Sequence, residues 1–154
     1  MTRKRSKTPA RLTRARMAGE DHAVLTIEGG SGAFRRQPCS DCPWRKDAVG
    51  EFPAEAFRHS APTAYDLGSS TFGCHQSGQA KPATCAGFLL RGAEHNMQVR
   101  IRERLYGEDY SGVTDGGHDL HDDYVAMAVA NGVDPDDPVL APCRRGSYAL
   151  KPKD

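Results

Sequence analysis

Apolar residues recur at helical spacing in one long stretch of the chain and form short, isolated groups elsewhere. Across residues 84–107, Ala86, Leu89, Leu90, Ala93, Met97, Ile101 and Leu105 follow one another at intervals of one, three and four. That is the stripe of an amphipathic helix. Thr84 suits its N-cap, Arg100, Arg102 and Arg104 suit its last turns, and Gly107 suits its stop. Gly87 and Gly92 weaken this helix and allow close packing against it. Two shorter helices are predicted. One covers 52–60, with Pro53 in its first turn and Phe52, Ala56 and Phe57 on one side. The other covers about 120–131, with Tyr124, Val125, Met127, Ala128 and Ala130 as its apolar residues and Gly132 as its stop. Val24, Leu25 and Ile27 predict a short strand, or a linker with a strand-like patch, within 21–37. Residues 70–78 read as a short strand or knuckle between glycines.

Residues 1–20 hold few large apolar side chains and are expected to be a disordered or weakly helical basic arm. The tail at 145–154 has no periodic pattern, which leaves 38–144 as the domain. The expected fold is a small, irregular α+β arrangement, with one long and two shorter helices and short strands or knuckles around a cysteine-ligated metal site.

Composition adds a reason for that metal. Of 154 residues, 38% are hydrophobic, with sixteen glycines and ten prolines, so much of the chain is loop. A thin core of this kind commonly needs a cross-link. No apolar run approaches the roughly 20 residues that span a bilayer, and no signal-peptide pattern follows the basic start. A cytoplasmic setting is expected, where clustered cysteines are more often metal ligands or catalytic groups than disulfides. The net charge of +1 conceals a polarised distribution. Arg3, Lys4, Arg5, Lys7, Arg11, Arg14 and Arg16 lie at the start with no acid among them, leaving fourteen cations against twenty acids beyond. Such an arm is a candidate for salt-sensitive contact with nucleic-acid phosphates. A host protein is the other candidate partner, and no membrane contact is expected.

Cysteine spacing carries most of the chemistry. "PCSDCPWRK" places Cys39 and Cys42 in a C-x-x-C, Cys74 follows after 31 intervening residues, and Cys85 after ten more. A tight turn supplying two sulfurs, with two more from a second region, is how small domains assemble a tetrahedral thiolate site. Cys85 falls at the expected start of the long helix, where the dipole favours a thiolate. His75 adjoins Cys74 and is the alternative fourth ligand, giving three thiolates and one imidazole. Zinc fits the long mixed spacing, and an iron–sulfur cluster is the alternative for four thiolates. Four protein ligands leave no open position, so the metal is expected to be structural and the protein a binding or regulatory module rather than an enzyme. Cys143 lies far off and is unassigned.

Other constellations are weaker. A zinc deaminase needs H-x-E ahead of its P-C-x-x-C, but His22 is followed two residues later by Val24. A thioredoxin-type dithiol needs a βαβ context that Pro43 and the nearby glycines do not suit. His118, His121 and Asp122 stand at i, i+3 and i+4 and would share a helix face as cation ligands. The plainer reading is an acidic first turn complementing a helix dipole. "EHN" at 94–96 includes His95, a candidate residue for a metal-dependent nuclease. Trp44, followed by Arg45 and Lys46, could stack on a base or simply cap a small core.

"PCSDCPWRKD", "FGCHQSG", "CAGFLLRGAEHN" and "ANGVDPDDP" together resemble a family of small cysteine-rich proteins of unknown function from bacteriophages, prophages and some actinobacteria. The resemblance spans about 38–144 and rests on P-C-x-x-C-P-W-R, then F-x-C-H, then C-x-G. It implies a metal site at the matching Cys39, Cys42, Cys74, His75 and Cys85, and a phage or prophage setting with the bacterial cytoplasm as location. It implies no activity.

Overall fold

The computed structural model describes residues 8–19, 22–30, 32–74 and 82–145. β1 (Thr8–Gly19) and β2 (His22–Gly30) pair antiparallel, with Leu12 opposite Ile27 and Arg16 opposite Val24. Among the described residues four α-helices follow: α1 (Ala54–Ser60), α2 (Ala86–Arg91), α3 (Met97–Tyr106) and α4 (Tyr124–Ala130). The connections are held by single backbone bridges. Phe34 and Gly73 both bridge to Thr84, Arg45 to Leu120, and Tyr65 to Cys143. The result is a small, mixed and irregular fold. No helix among the described residues is long and apolar enough to cross a membrane.

The core is organised around Trp44, which has no exposed surface. Its indole fits because α2 presents glycines to it. A Cβ on Gly87 would fall 2.5 Å from the Cβ of Trp44, and one on Gly92 would fall 2.6 Å from its Cη2. Phe72 and Tyr124 meet the indole edge-on, each with centroids 5.9 Å away, an arrangement that suits aromatic quadrupoles. Phe88, Leu120, Met127 and Leu140 complete the packing. Trp44 therefore caps the core and is not free to stack on a base.

The single long helix expected over 84–107 is two helices with a turn between them. Gly92 ends α2, and Asn96 starts α3. The Asn96 side chain accepts from the Val99 N–H at 3.1 Å and donates to the carbonyls of Thr63 and Ser70 at 3.3 and 2.7 Å. Three bonds at roughly 1 kcal/mol each, together with a glycine that costs about as much inside a helix, outweigh the continuing apolar stripe. Gly107 does close α3, in the left-handed conformation at φ 68°. Pro53 is the N-cap of α1 rather than part of its first turn. α4 begins only at Tyr124, because Asp123 caps it by accepting from the Ala126 N–H at 2.7 Å.

The disordered arm expected over 1–20 is also corrected, since most of it is β1. Two extended segments satisfy one another's backbone N–H and C=O groups, a gain that counting apolar side chains does not register. Of the basic residues, Arg11, Arg14 and Arg16 lie on β1, whereas Arg3, Lys4, Arg5 and Lys7 lie outside the described residues. The 21–37 segment is mainly the strand β2.

Two predictions follow from this core. Gly87→Ala is expected to destabilise the fold by about 1–3 kcal/mol despite its better helix propensity, because the Cβ of Trp44 cannot rotate away. Gly73→Ala, whose new Cβ would meet nothing nearer than 3.9 Å, is the matched control. Urea unfolding of the two variants checks this. His121 is buried, its backbone N–H bonds the Trp44 carbonyl at 3.0 Å, and its Nε2 has no hydrogen-bond partner. Burial holds its pKa below the ordinary 6.5, Lys46 adds to the shift, and Asp119, Asp122 and Asp123 oppose it. The folded protein thus resists a proton that the unfolded chain accepts. His121 supports stability fully above about pH 6.5, and that support is lost as the pH falls through the lower folded value. His121→Gln is expected to flatten this part of the stability–pH curve, and equal slopes in the two proteins would count against the assignment.

Candidate functional site

Cys39 and Cys42 sit on a tight turn. The Cys42 N–H donates to the Cys39 carbonyl at 3.2 Å, and the Arg45 N–H donates to the Cys42 carbonyl at 3.0 Å. Backbone N–H groups two residues on approach each sulfur, Asp41 at Cys39 and Trp44 at Cys42, and both favour the thiolate. Cys74 and Cys85 arrive on neighbouring segments. The Cys74 N–H donates to the Ala83 carbonyl at 2.7 Å, and the Cys85 N–H donates to the Phe72 carbonyl at 2.9 Å. These bonds flank the Thr84 bridges and set the two cysteines beside the knuckle.

The four cysteines named from sequence are thus neighbours. The sulfurs of Cys42 and Cys85, 43 residues apart, are 3.5 Å from each other. Cys39 interacts through its side chain with both Cys42 and Cys74. Cys42, Cys74 and Cys85 are buried, Cys39 is half-buried, and none of the four is joined in a disulfide. Among the described residues, no group of three or more His, Cys, Asp or Glu side chains is arranged so that it could hold a metal ion, and the cluster stands as contacting thiol pairs.

Crowding governs the protonation of these thiols. Contact with Cys42, followed by burial, pushes Cys39 up to about 11, against the help of Cys74. At Cys42 the contact with Cys39 acts downward, but Cys85 and burial outweigh it and the thiol reaches about 12. One cation is already in place. Arg35 donates from Nε to the Cys74 sulfur at 3.3 Å, and that contact raises the guanidinium's own pKa. Arg45 bonds the Cys39 carbonyl at 3.2 Å and pairs with Asp47. Arg35 was not legible as a site residue from sequence, because its partner Cys74 is 39 residues away, and Arg45 was read only as a neighbour of Trp44.

The remaining candidates separate. His75 lies outside the described residues. Cys143 is away from the cluster, with its thiol toward the carbonyls of Ala61 and Val139 at 3.7 and 4.0 Å, and burial pushes it up to about 12. His118, His121 and Asp122 do not share a helix face, because all three precede the Asp123 cap. The acid that serves the α4 N-terminus is Asp123. His95 lies in the turn between α2 and α3 rather than inside a helix, with Nδ1 3.7 Å from Asp66. The dipole argument for Cys85 weakens, since α2 has only six residues; Cys85 does lie at its start, as the N-cap in place of the expected Thr84.

No curated protein and no solved structure matches the chain. Residues 34–144, which contain the knuckle, all four clustered cysteines and the Trp44 core, match the model of a family of unknown function, DUF6283, and the chain belongs to that family.

Proposed function

We propose that this protein is a binding module whose fold is closed by one structural zinc ion on Cys39, Cys42, Cys74 and Cys85. The observation that carries the reading is the 3.5 Å approach of the Cys42 and Cys85 sulfurs from opposite sides of a 43-residue separation. A tetrahedral site with Zn–S bonds of about 2.3 Å needs sulfurs roughly 3.8 Å apart, whereas a disulfide needs about 2.05 Å. The observed spacing is close to the first and far from the second. Metal binding would draw the paired thiols into one tetrahedron, with the N–H groups of Asp41 and Trp44 and the Arg35 guanidinium offsetting thiolate charge. The cation also reverses the crowding that keeps Cys39 and Cys42 protonated. Four thiolates leave no position for substrate, which favours binding over catalysis. Partner contact is assigned to the basic N-terminal segment and nucleic-acid phosphates, on the strength of its charge against a net acidic body.

Metal content and visible spectrum, measured on anaerobically purified wild type and Cys42→Ser, test the centre. One zinc per chain, without colour and lost in the variant, is expected. Iron with sulfide and visible absorption would replace zinc by a cluster on the same ligands, and metal-free wild type would falsify the centre altogether. Zinc uptake is expected to release protons and to weaken as pH falls, because the ligands are thiols until the metal arrives. A strong chelator should then lower the unfolding temperature of wild type but leave Cys42→Ser unchanged. Binding to DNA is expected to fall steeply with salt and to vanish on deleting residues 1–20.

A further inference from the structure

We propose a second site, separate from the cysteines: a phosphate-binding pocket where the α2–α3 turn meets the turn at 65–68. The depression is shallow and open to solvent, with enclosed room of only about 10 Å³, so a phosphate would lie across its mouth; it is lined among others by Arg91, Glu94, His95, Asn96 and Arg144. It contains the "EHN" segment that the metal reading leaves unused.

Its walls are fixed before any ligand arrives. The Leu67 N–H donates to the His95 carbonyl at 3.1 Å, and the Met97 N–H donates to the Gly68 carbonyl at 2.7 Å. Asn96, 1% exposed, ties the same turn to Thr63 and Ser70. Leu67 is held at φ 59°, a conformation that side-chain-bearing residues rarely adopt, with its side chain 58% exposed. The turn's own bonds, from the Leu67 N–H to the His95 carbonyl and from the Gly68 N–H to the Tyr65 carbonyl at 2.9 Å, hold that conformation beside the depression.

The basic groups at this pocket are incompletely used. His95 Nε2 and Arg144 Nε are enclosed and have no hydrogen-bond partner, which is uncommon for buried polar atoms. Arg144 reaches Asp66 at 3.1 Å, His95 reaches the same carboxylate at 3.7 Å, and Arg91 reaches Asp122 at 3.9 Å. Asp66 and Asp122 are more than half exposed, so these pairs are weak and exchangeable. A phosphate group offers several acceptor oxygens and up to two charges, and it displaces the exposed Asp66 carboxylate from Arg144 and His95 and the exposed Asp122 carboxylate from Arg91. Glu94 at the edge selects among oxyanions. It can accept from the O–H of a monoprotonated phosphate but only repels sulfate, which has no such donor. The phosphate comes either free or as the terminal phosphate of a nucleotide chain.

The test titrates the full chain with inorganic phosphate, a 5′-phosphorylated dinucleotide, the same dinucleotide without the phosphate, and sulfate. Proton–nitrogen NMR follows the His95 ring and the Leu67 amide. Saturable shifts with phosphate and weaker ones with sulfate are expected. Arg144→Gln is expected to weaken binding about tenfold, and Asp66→Asn to strengthen it by removing the competing carboxylate. Tighter binding of the phosphorylated dinucleotide than of inorganic phosphate identifies a nucleic-acid end as the source, and the reverse order identifies free phosphate. The amide spectrum reports whether Arg144→Gln remains folded; if it does not, Arg91→Gln supplies the same comparison. Absence of saturable shifts in wild type, or unchanged affinity in a folded arginine variant, overturns the site whatever the metal analysis finds.

Discussion

The fit of one indole against a glycine-faced helix is the constraint on which the rest of this structure depends. Trp44 is the largest side chain in the core and is completely covered. Gly87 and Gly92 let α2 lie on it at a distance that any side chain would forbid. Its backbone carbonyl receives the His121 N–H, which draws in the segment leading to α4, and the neighbouring Arg45 bridges to Leu120. The knuckle cysteines therefore sit on the same short stretch of chain that nucleates the core. Packing and sulfur chemistry cannot be varied independently here. Moving Trp44 moves Cys42, and moving α2 moves Cys85.

This coupling clarifies why so small a core would use thiols. Much of the domain is irregular backbone held by isolated bridges, and each such loop carries closure entropy that few buried side chains offset. A cross-link between Cys42 and Cys85 closes the loop containing α1 and the bridge segment at 72–74. Its ends are already positioned by Trp44. A metal there would stabilise what packing has begun rather than impose a geometry of its own, and the contacting but unbonded sulfurs agree with that division of labour.

The grouping of the cysteines was more legible in the sequence than the fold. The spacing of Cys39, Cys42, Cys74 and Cys85 pointed to one neighbourhood because a tight turn and two later sulfurs constrain the chain strongly. Helix positions were legible wherever a local signal decided them, as at Gly107 and in the apolar run after Asp123. The long helix failed at Asn96 because the deciding bonds go to Thr63 and Ser70, more than 25 residues away in sequence. The same limit concealed Arg35, whose partner Cys74 is 39 residues distant, and Asp66 and Arg144, which meet across 78. The N-terminal hairpin was missed for another reason. Backbone pairing needs no apolar side chains, so composition alone argued for disorder.

Under the two proposals, α2 links the sites. Cys85 caps its start, Arg91 is its last residue, and the turn bearing His95 follows directly. A helix of six residues is about 9 Å long and, with Trp44 packed against both of its glycines, behaves as one rigid piece. A shift of Cys85 on metal loss would therefore be transmitted to Gly92 and onward to Arg91 and His95. The facing turn at 65–68 is bonded to His95 and Met97 but also anchored elsewhere, through the Tyr65 hydroxyl to the Val139 carbonyl and the Tyr65 bridge to Cys143. The bonds between the two walls would then be strained. Because binding linkage is reciprocal, phosphate held across those walls would favour the placement of Cys85 that closes the thiol cluster. The two sites would act as one unit, with the glycine–tryptophan contact as the element that carries the strain between them.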